Sequence, residues 1–151
     1  MFKSSFGFQR AEDSPGFLLW QVTSTWQRKI KQALEPFDVS HAQFVMMAVL
    51  LWLTEHHEEV TQVKLIDWTK LDKMTVSKSL KKLSTMGFVQ RAESIEDSRA
   101  KSVKLTPSGK KLIKKLVPII EKIDVDFFSP LNKQELKQFI HYSRTISSMT
   151  R

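Results

Sequence analysis

Lys78, Lys81 and Lys82 recur at helical spacing opposite Val76, Leu80 and Leu83. Apolar residues at i, i+4 and i+7 form one stripe of an α-helix, so the lysines fall mostly on the other side. Met74, Thr75 and Thr85 lie beside them and Ser77 lies on the flank. A helix of this kind can enter a DNA major groove. Lysine donates to guanine edges or phosphates, Thr and Ser donate or accept, and Met74 can touch a thymine methyl. Taken alone, the stretch reads first as an ordinary amphipathic surface helix; the segment C-terminal to it reverses that preference. Phe88–Ala92 and Lys101–Leu105 alternate with a period near two around a polar, charged centre, Glu93–Ala100. That pattern predicts a β-hairpin. Arg91, Asp97, Arg99 and Lys101 sit on it, and such a hairpin can lay Arg99 into a minor groove, where narrowing concentrates negative potential. Asp97 would then orient Arg99 or Arg91 through a charge-assisted hydrogen bond. The alternative is a solvent-exposed loop whose charges carry no role.

The charge distribution bears on the choice. Val60 to Lys115 holds fourteen basic residues against five acids, whereas the whole 151-residue chain carries a net +8, leaving the ends close to neutral. A localised basic block in a balanced protein is the footprint of a polyanion partner, although a solvated lysine-rich surface gives the same count. There is no cysteine, which removes disulfides, thiolate metal sites and thiol redox sensing. Met1–Gly16 lacks the layout of a secretory signal, and the longest apolar run, Phe44–Leu53, is about half a bilayer span. These features predict a cytoplasmic protein with no membrane segment.

The elements that must hold these residues are marked by caps. Ser14-Pro15 predicts a helix to Leu34, ended by Pro36. Ser40-His41-Ala42-Gln43 is a capping box opening a nearly all-apolar helix to Leu53, the expected spine of its lobe. Thr61 opens a short helix with Val63, Leu65 and Ile66 packing inward, and Asp72 opens the lysine-bearing one, which Gly87 ends. After the hairpin, Thr106-Pro107 starts a long helix that Pro118 should kink, and Asn132–Glu135 caps a final one. The fold class is therefore mainly α with a small β-hairpin (α+β): a winged helix-turn-helix lobe plus a helical region.

The run Asp72–Leu83, then Gly87-Phe88-Val89-Gln90-Arg91, Asp97-Ser98-Arg99-Ala100-Lys101 and Leu105–Gly109 resembles the MarR family of regulators. Ser40–Phe44 and Phe127–Leu131 also fit its pattern, so the resemblance covers about residues 14–143. It implies a transcription regulator, in which a lobe spanning about 40–105 binds a pseudo-palindromic double-stranded operator. Helices over about 14–34 and 106–148 would join two copies into a homodimer, behind a tail at 1–13. It makes Asp72–Met86 the recognition helix and matches Asp97 and Arg99 to the wing motif; with the reading of the residues above, the expected contacts are Met74, Thr75, Ser77, Lys78, Lys81 and Lys82 on the helix and Arg91, Asp97, Arg99 and Lys101 on the wing. It further implies release from DNA by a small aromatic or anionic ligand held between lobe and dimer region.

A pocket near the Trp-rich helices would use Trp20, His41, Met46 and Trp52, with Trp26 and Met47 near; a Met and Trp stripe at helical spacing reads more simply as core. His56-His57-Glu58-Glu59 reads as a solvated helix end rather than a metal site, because adjacent residues seldom point at one ion. No nucleophile elbow, Gly-rich phosphate loop or catalytic triad is present, so neither enzyme nor cofactor is expected. Two other functions remain open: a winged-helix protein-interaction module, and a non-specific DNA-binding protein.

Overall fold

The computed structural model describes residues 4–93 and 101–149. A 3-10 turn at Ala11–Asp13 leads into α1 (Pro15–Leu34), a second turn at Glu35–Phe37, then α2 (His41–Glu55), α3 (Gln62–Thr69) and α4 (Lys73–Thr85). The strands β1 (Val89–Glu93) and β2 (Lys101–Leu105) come next, then α5 (Pro107–Phe128) and α6 (Lys133–Met149).

Side chains close the open amides at the start of each helix. Ser14, Thr61, Asp72 and Thr106 each accept from the backbone amide three residues on. Ser40 and Gln43 form a reciprocal capping box, with bonds of 3.1 and 2.9 Å, and Asn132 and Glu135 form another. Each such cap is worth about 1 kcal/mol. Gly87, at φ 80°, takes the left-handed conformation that ends the α4 segment. Pro118 lies inside α5 without ending it.

One buried cluster joins the lobe to α1 and α5. Leu50, Leu53, Leu65, Val76, Leu80 and Leu83 from the lobe join Ile30 and Leu34 of α1 and Ile113 and Leu116 of α5. All are fully shielded, so the lobe and the long helices share one core. β1 and β2 pair antiparallel from Val89 opposite Leu105 to Glu93 opposite Lys101. An isolated bridge between Thr61 and Ser102, with Val103 N donating to Val60 O at 2.8 Å, ties the hairpin to the start of α3.

Burial corrects the sequence reading in two places. Val63, expected to pack, is 69% exposed, and Trp52 of the nearly all-apolar α2 is 55% exposed. The N-terminal tail holds a 3-10 turn. The α6 helix buries none of its residues, and the first half of α1 leaves Leu19 and Trp20 in the open.

Candidate nucleic-acid interface

The α4 helix is fixed from below by Val76, Leu80 and Leu83, each 0% exposed. Its outer row consists of Met74, Lys78, Lys81 and Thr85, all exposed and spaced so that they align along one side. Lys78, Lys81 and Lys82 have no carboxylate within ion-pair distance among the described residues. Lys64, Lys70 and Lys122 elsewhere are paired with Glu58, Asp67 and Asp126. Unpaired ammonium groups keep their charge available to a polyanion.

The two flanks of α4 meet different neighbours. Ser84 faces a recess of 460 Å³ shared with Arg91, Ala92 and Lys101, which places two wing cations beside the C-terminal half of the helix. Lys82 faces the opposite way, into a cleft of 480 Å³ lined by Gln27, Lys31, Glu35, Asp38, Val39, Ser40 and His41. The expected row of three lysines is thus divided: Lys78 and Lys81 stand outward and Lys82 stands at the junction with α1 and α2. Ser77 is half-buried. The Thr75 hydroxyl is engaged, donating to Asp72 Oδ2 at 2.6 Å while the Thr75 amide donates to Asp72 Oδ1 at 2.8 Å. Sequence periodicity could not reveal this clamp, although the Asp–x–x–Thr spacing permits it. Asp97 and Arg99 lie outside the described residues.

At the junction of α1, α2 and α5, Trp26 Nε1 donates to Asp124 Oδ1 at 2.7 Å, and its ring meets His41 edge-on at 5.0 Å. Partial burial pushes the His41 pKa below its ordinary value, and the nearby Asp124 charge offsets part of that. His41, Trp20, Met46 and Trp52 do not form the pocket expected of them. Met46 is sealed in the core, Trp20 is 71% exposed on α1, and Trp52 stacks on His56 at the surface. Met and Trp at helical spacing are resolved by what packs against each residue, which the period alone does not give. His56 Nδ1 lies 2.7 Å from the Trp52 carbonyl oxygen, and among the described residues no three ligating side chains converge.

The concavity that sequence reasoning missed is apolar. A groove of 710 Å³ runs between α1, α5 and α6, lined by Leu18, Leu19, Val22, Trp26, Phe127, Phe128, Phe139, Tyr142 and Ile146. Phe128 and Phe139 meet there, ring centroids 5.1 Å apart. The signal was present as surplus apolar residues on the terminal helices; the groove's shape was not.

Comparison with known proteins bears on what this arrangement serves. The family described as "ArnR1-like, winged-helix domain" matches residues 35–123. The HTH-type transcriptional regulator YdcH of Bacillus subtilis is 40% identical over 128 residues, which cover 85% of this chain and 87% of YdcH. The chain belongs to the MarR family of transcriptional regulators. Two solved members of this fold superpose over 93% of the chain. BpsR of Bordetella bronchiseptica, whose DNA binding is regulated by 6-hydroxynicotinic acid, does so with TM-score 0.82, 24% identity and 98% of its own length. A MarR variant of Escherichia coli complexed with operator DNA gives TM-score 0.77 at 21% identity, over 99% of its own length. This MarR-family regulator therefore carries its helix-turn-helix on α3 and α4 and its wing on β1 and β2. Among its described residues no single helix is long and apolar enough to cross a membrane.

Proposed function

We propose that this regulator is a homodimeric, sequence-specific repressor that reads a pseudo-palindromic operator through α4 and the wing and is released by a small ligand. The observation that carries the reading is the outward row Met74, Lys78, Lys81 and Thr85, held rigid by the fully buried Val76, Leu80 and Leu83. Beside it lie the wing cations Arg91 and Lys101. Lys78 and Lys81 serve the groove floor and phosphates, Arg91 and Lys101 the flanking backbone, and Arg99, oriented by Asp97, the adjacent minor groove.

Dimerisation through residues 14–34 and 106–148 is supported by α6, which buries nothing in the single chain, and by the apolar groove beside it. Exposed apolar surface on that scale marks an interface. Two lobes so joined meet half-sites one helical turn, roughly 34–36 Å, apart. The junction cleft, with Lys31, Lys82 and His41 but also Glu35 and Asp38 on its walls, suits a small aromatic acid that also carries a hydrogen-bond donor for the carboxylates. The 6-hydroxynicotinic acid that acts on BpsR is a ligand of that chemistry. Because Lys82 belongs to α4, a ligand held there acts directly on the recognition helix. The reading assigns the protein no catalytic step and a cytoplasmic location, where its operator is.

The test is selection of binding sites from random duplex by the full-length protein, followed by footprinting and light scattering. The expected result is a discrete palindrome protected by a dimer. Uniform affinity for all duplexes at every salt concentration would refute it.

A further inference from the structure

Asp72 stands exposed at the N-terminal end of α4, inside the most basic stretch of the chain. Its carboxylate is clamped: Oδ1 accepts the Thr75 amide at 2.8 Å and Oδ2 accepts the Thr75 hydroxyl at 2.6 Å. The two bonds hold its pKa below the ordinary carboxylate value, so it is ionised at neutral pH. Capping alone does not need a charge. Ser14, Ser40, Thr61 and Thr106 cap their helices with neutral hydroxyls. A fixed carboxylate on a DNA-facing surface lowers affinity for every duplex by repelling phosphates. The helix dipole also favours a charged cap, but on a DNA-facing surface the carboxylate bears on which base is accepted.

Helix-turn-helix recognition helices present their N-terminal residues to base edges. Here those residues are Asp72, Lys73 and Met74, all exposed. Each carboxylate oxygen keeps accepting capacity after its bond to Thr75. In the major groove only cytosine N4 and adenine N6 donate; guanine O6 and N7 and thymine O4 accept and would face the carboxylate with like lone pairs. Adenine sets its N7 acceptor beside N6, whereas cytosine carries no acceptor on that edge. We propose that Asp72 is a specificity-determining residue, its clamped carboxylate accepting from a cytosine amine at one position of each half-site and excluding guanine and thymine there. The inference rests on the reading of α4 as the recognition helix.

The experiment compares full-length wild type with Asp72→Asn by site selection, then titrates both at one salt concentration against the selected site and its single-base variants. Asparagine is an equivalent N-cap, so the fold and melting temperature should hold. Asp72→Ser serves as the second neutral cap if Asn lowers stability. The expected wild-type profile has one cytosine-enriched position per half-site. In the variant that preference falls by about tenfold, the order of one base-pair discrimination, and the position shifts toward bases that accept. Affinity for unrelated duplex rises at the same time. A variant profile identical to wild type at every position overturns the proposal while leaving the recognition helix intact. A wild type that selects no discrete site overturns the recognition-helix reading itself.

Discussion

Gly109→Ala tests how α5 is joined to the DNA-binding lobe. Gly109 lies in the first turn of α5, where alanine ordinarily stabilises a helix by up to about 1 kcal/mol. Here a Cβ would stand 2.0 Å from the carbonyl oxygen of Phe88 and 2.8 Å from its carbon, both backbone atoms that no rotamer change can move. Relief requires the helix start and the Gly87–Phe88 turn to separate by about 1 Å. Two bonds cross that seam: Thr106 N donates to Phe88 O at 3.0 Å, and Thr106 Oγ1 donates to Gly87 O at 2.6 Å. Stretching both out of range costs about 1 kcal/mol each, and residual overpacking adds about 1–3 kcal/mol. Set against the propensity gain, the net loss is about 3 kcal/mol, a fall in melting temperature of roughly 6–12 °C. Urea unfolding at fixed protomer concentration measures it, since the stability of a dimer depends on concentration. Operator affinity should fall too, because the same turn joins α4 to β1. An alanine variant as stable as wild type would refute the claim that this close approach sets the angle between α5 and the lobe.

Lys81→Ala should weaken operator binding and flatten its salt dependence by about two units of log–log slope, one lost phosphate contact per protomer of a dimer; fluorescence anisotropy across a salt series reads it. Trp26→Phe removes the donor to Asp124 Oδ1 and should cost about 1–2 kcal/mol in urea unfolding. His41 has its folded-state pKa depressed by burial, so below about 6.5 the unfolded chain binds the proton more readily than the folded one. Stability is therefore greatest above that range and declines as pH falls through it. His41→Gln should shallow the decline between pH 7.5 and 5, and parallel profiles for the two proteins would contradict the assignment.

Local chemistry was readable along the chain, and tertiary chemistry was not. Ser14, Ser40, Thr61, Asp72, Thr106 and Asn132 announce helix starts because a cap needs only its own next three residues. Gly87 marks the end of α4 for an equally local reason. The inward stripe Val76, Leu80 and Leu83 was legible because Met74 is the one other apolar residue of α4. The α2 helix offered no such contrast. Apolar nearly all round, it gave no sign that Trp52 would stand at the surface while Met46 was sealed in. The bridge from Thr61 to Ser102 joins residues far apart in the chain, and no periodicity reports it. The same limit explains the dispersed pocket: residue types suggested aromatic lining, but the apolar groove is made by α1, α5 and α6 meeting, and of the expected aromatic and Met set only Trp26 reaches it.

The shared core constrains how such a regulator can switch. Ile30 and Leu34 of α1 and Ile113, Leu116 and Ile120 of α5 pack in the same cluster as Leu80 and Leu83 of α4. Interiors this close-packed transmit displacement rather than absorb it. The recognition helix therefore does not pivot as a free body beneath the wing; a change in its position must be carried into the helices that also line the apolar groove. Trp26 stands at that crossing. Its ring lines the groove, its indole nitrogen holds Asp124 of α5, and its edge meets His41, which borders the cleft that Lys82 enters from α4. A ligand in the cleft would reach Trp26 only through His41, whereas a second copy on the groove would meet its ring directly. Coupling between two sites is reciprocal in binding free energy, so if dimerisation tightens operator binding through this path, operator DNA must tighten the dimer by the same factor. Trp26→Phe, which keeps a ring in place but frees Asp124, should reduce both effects together.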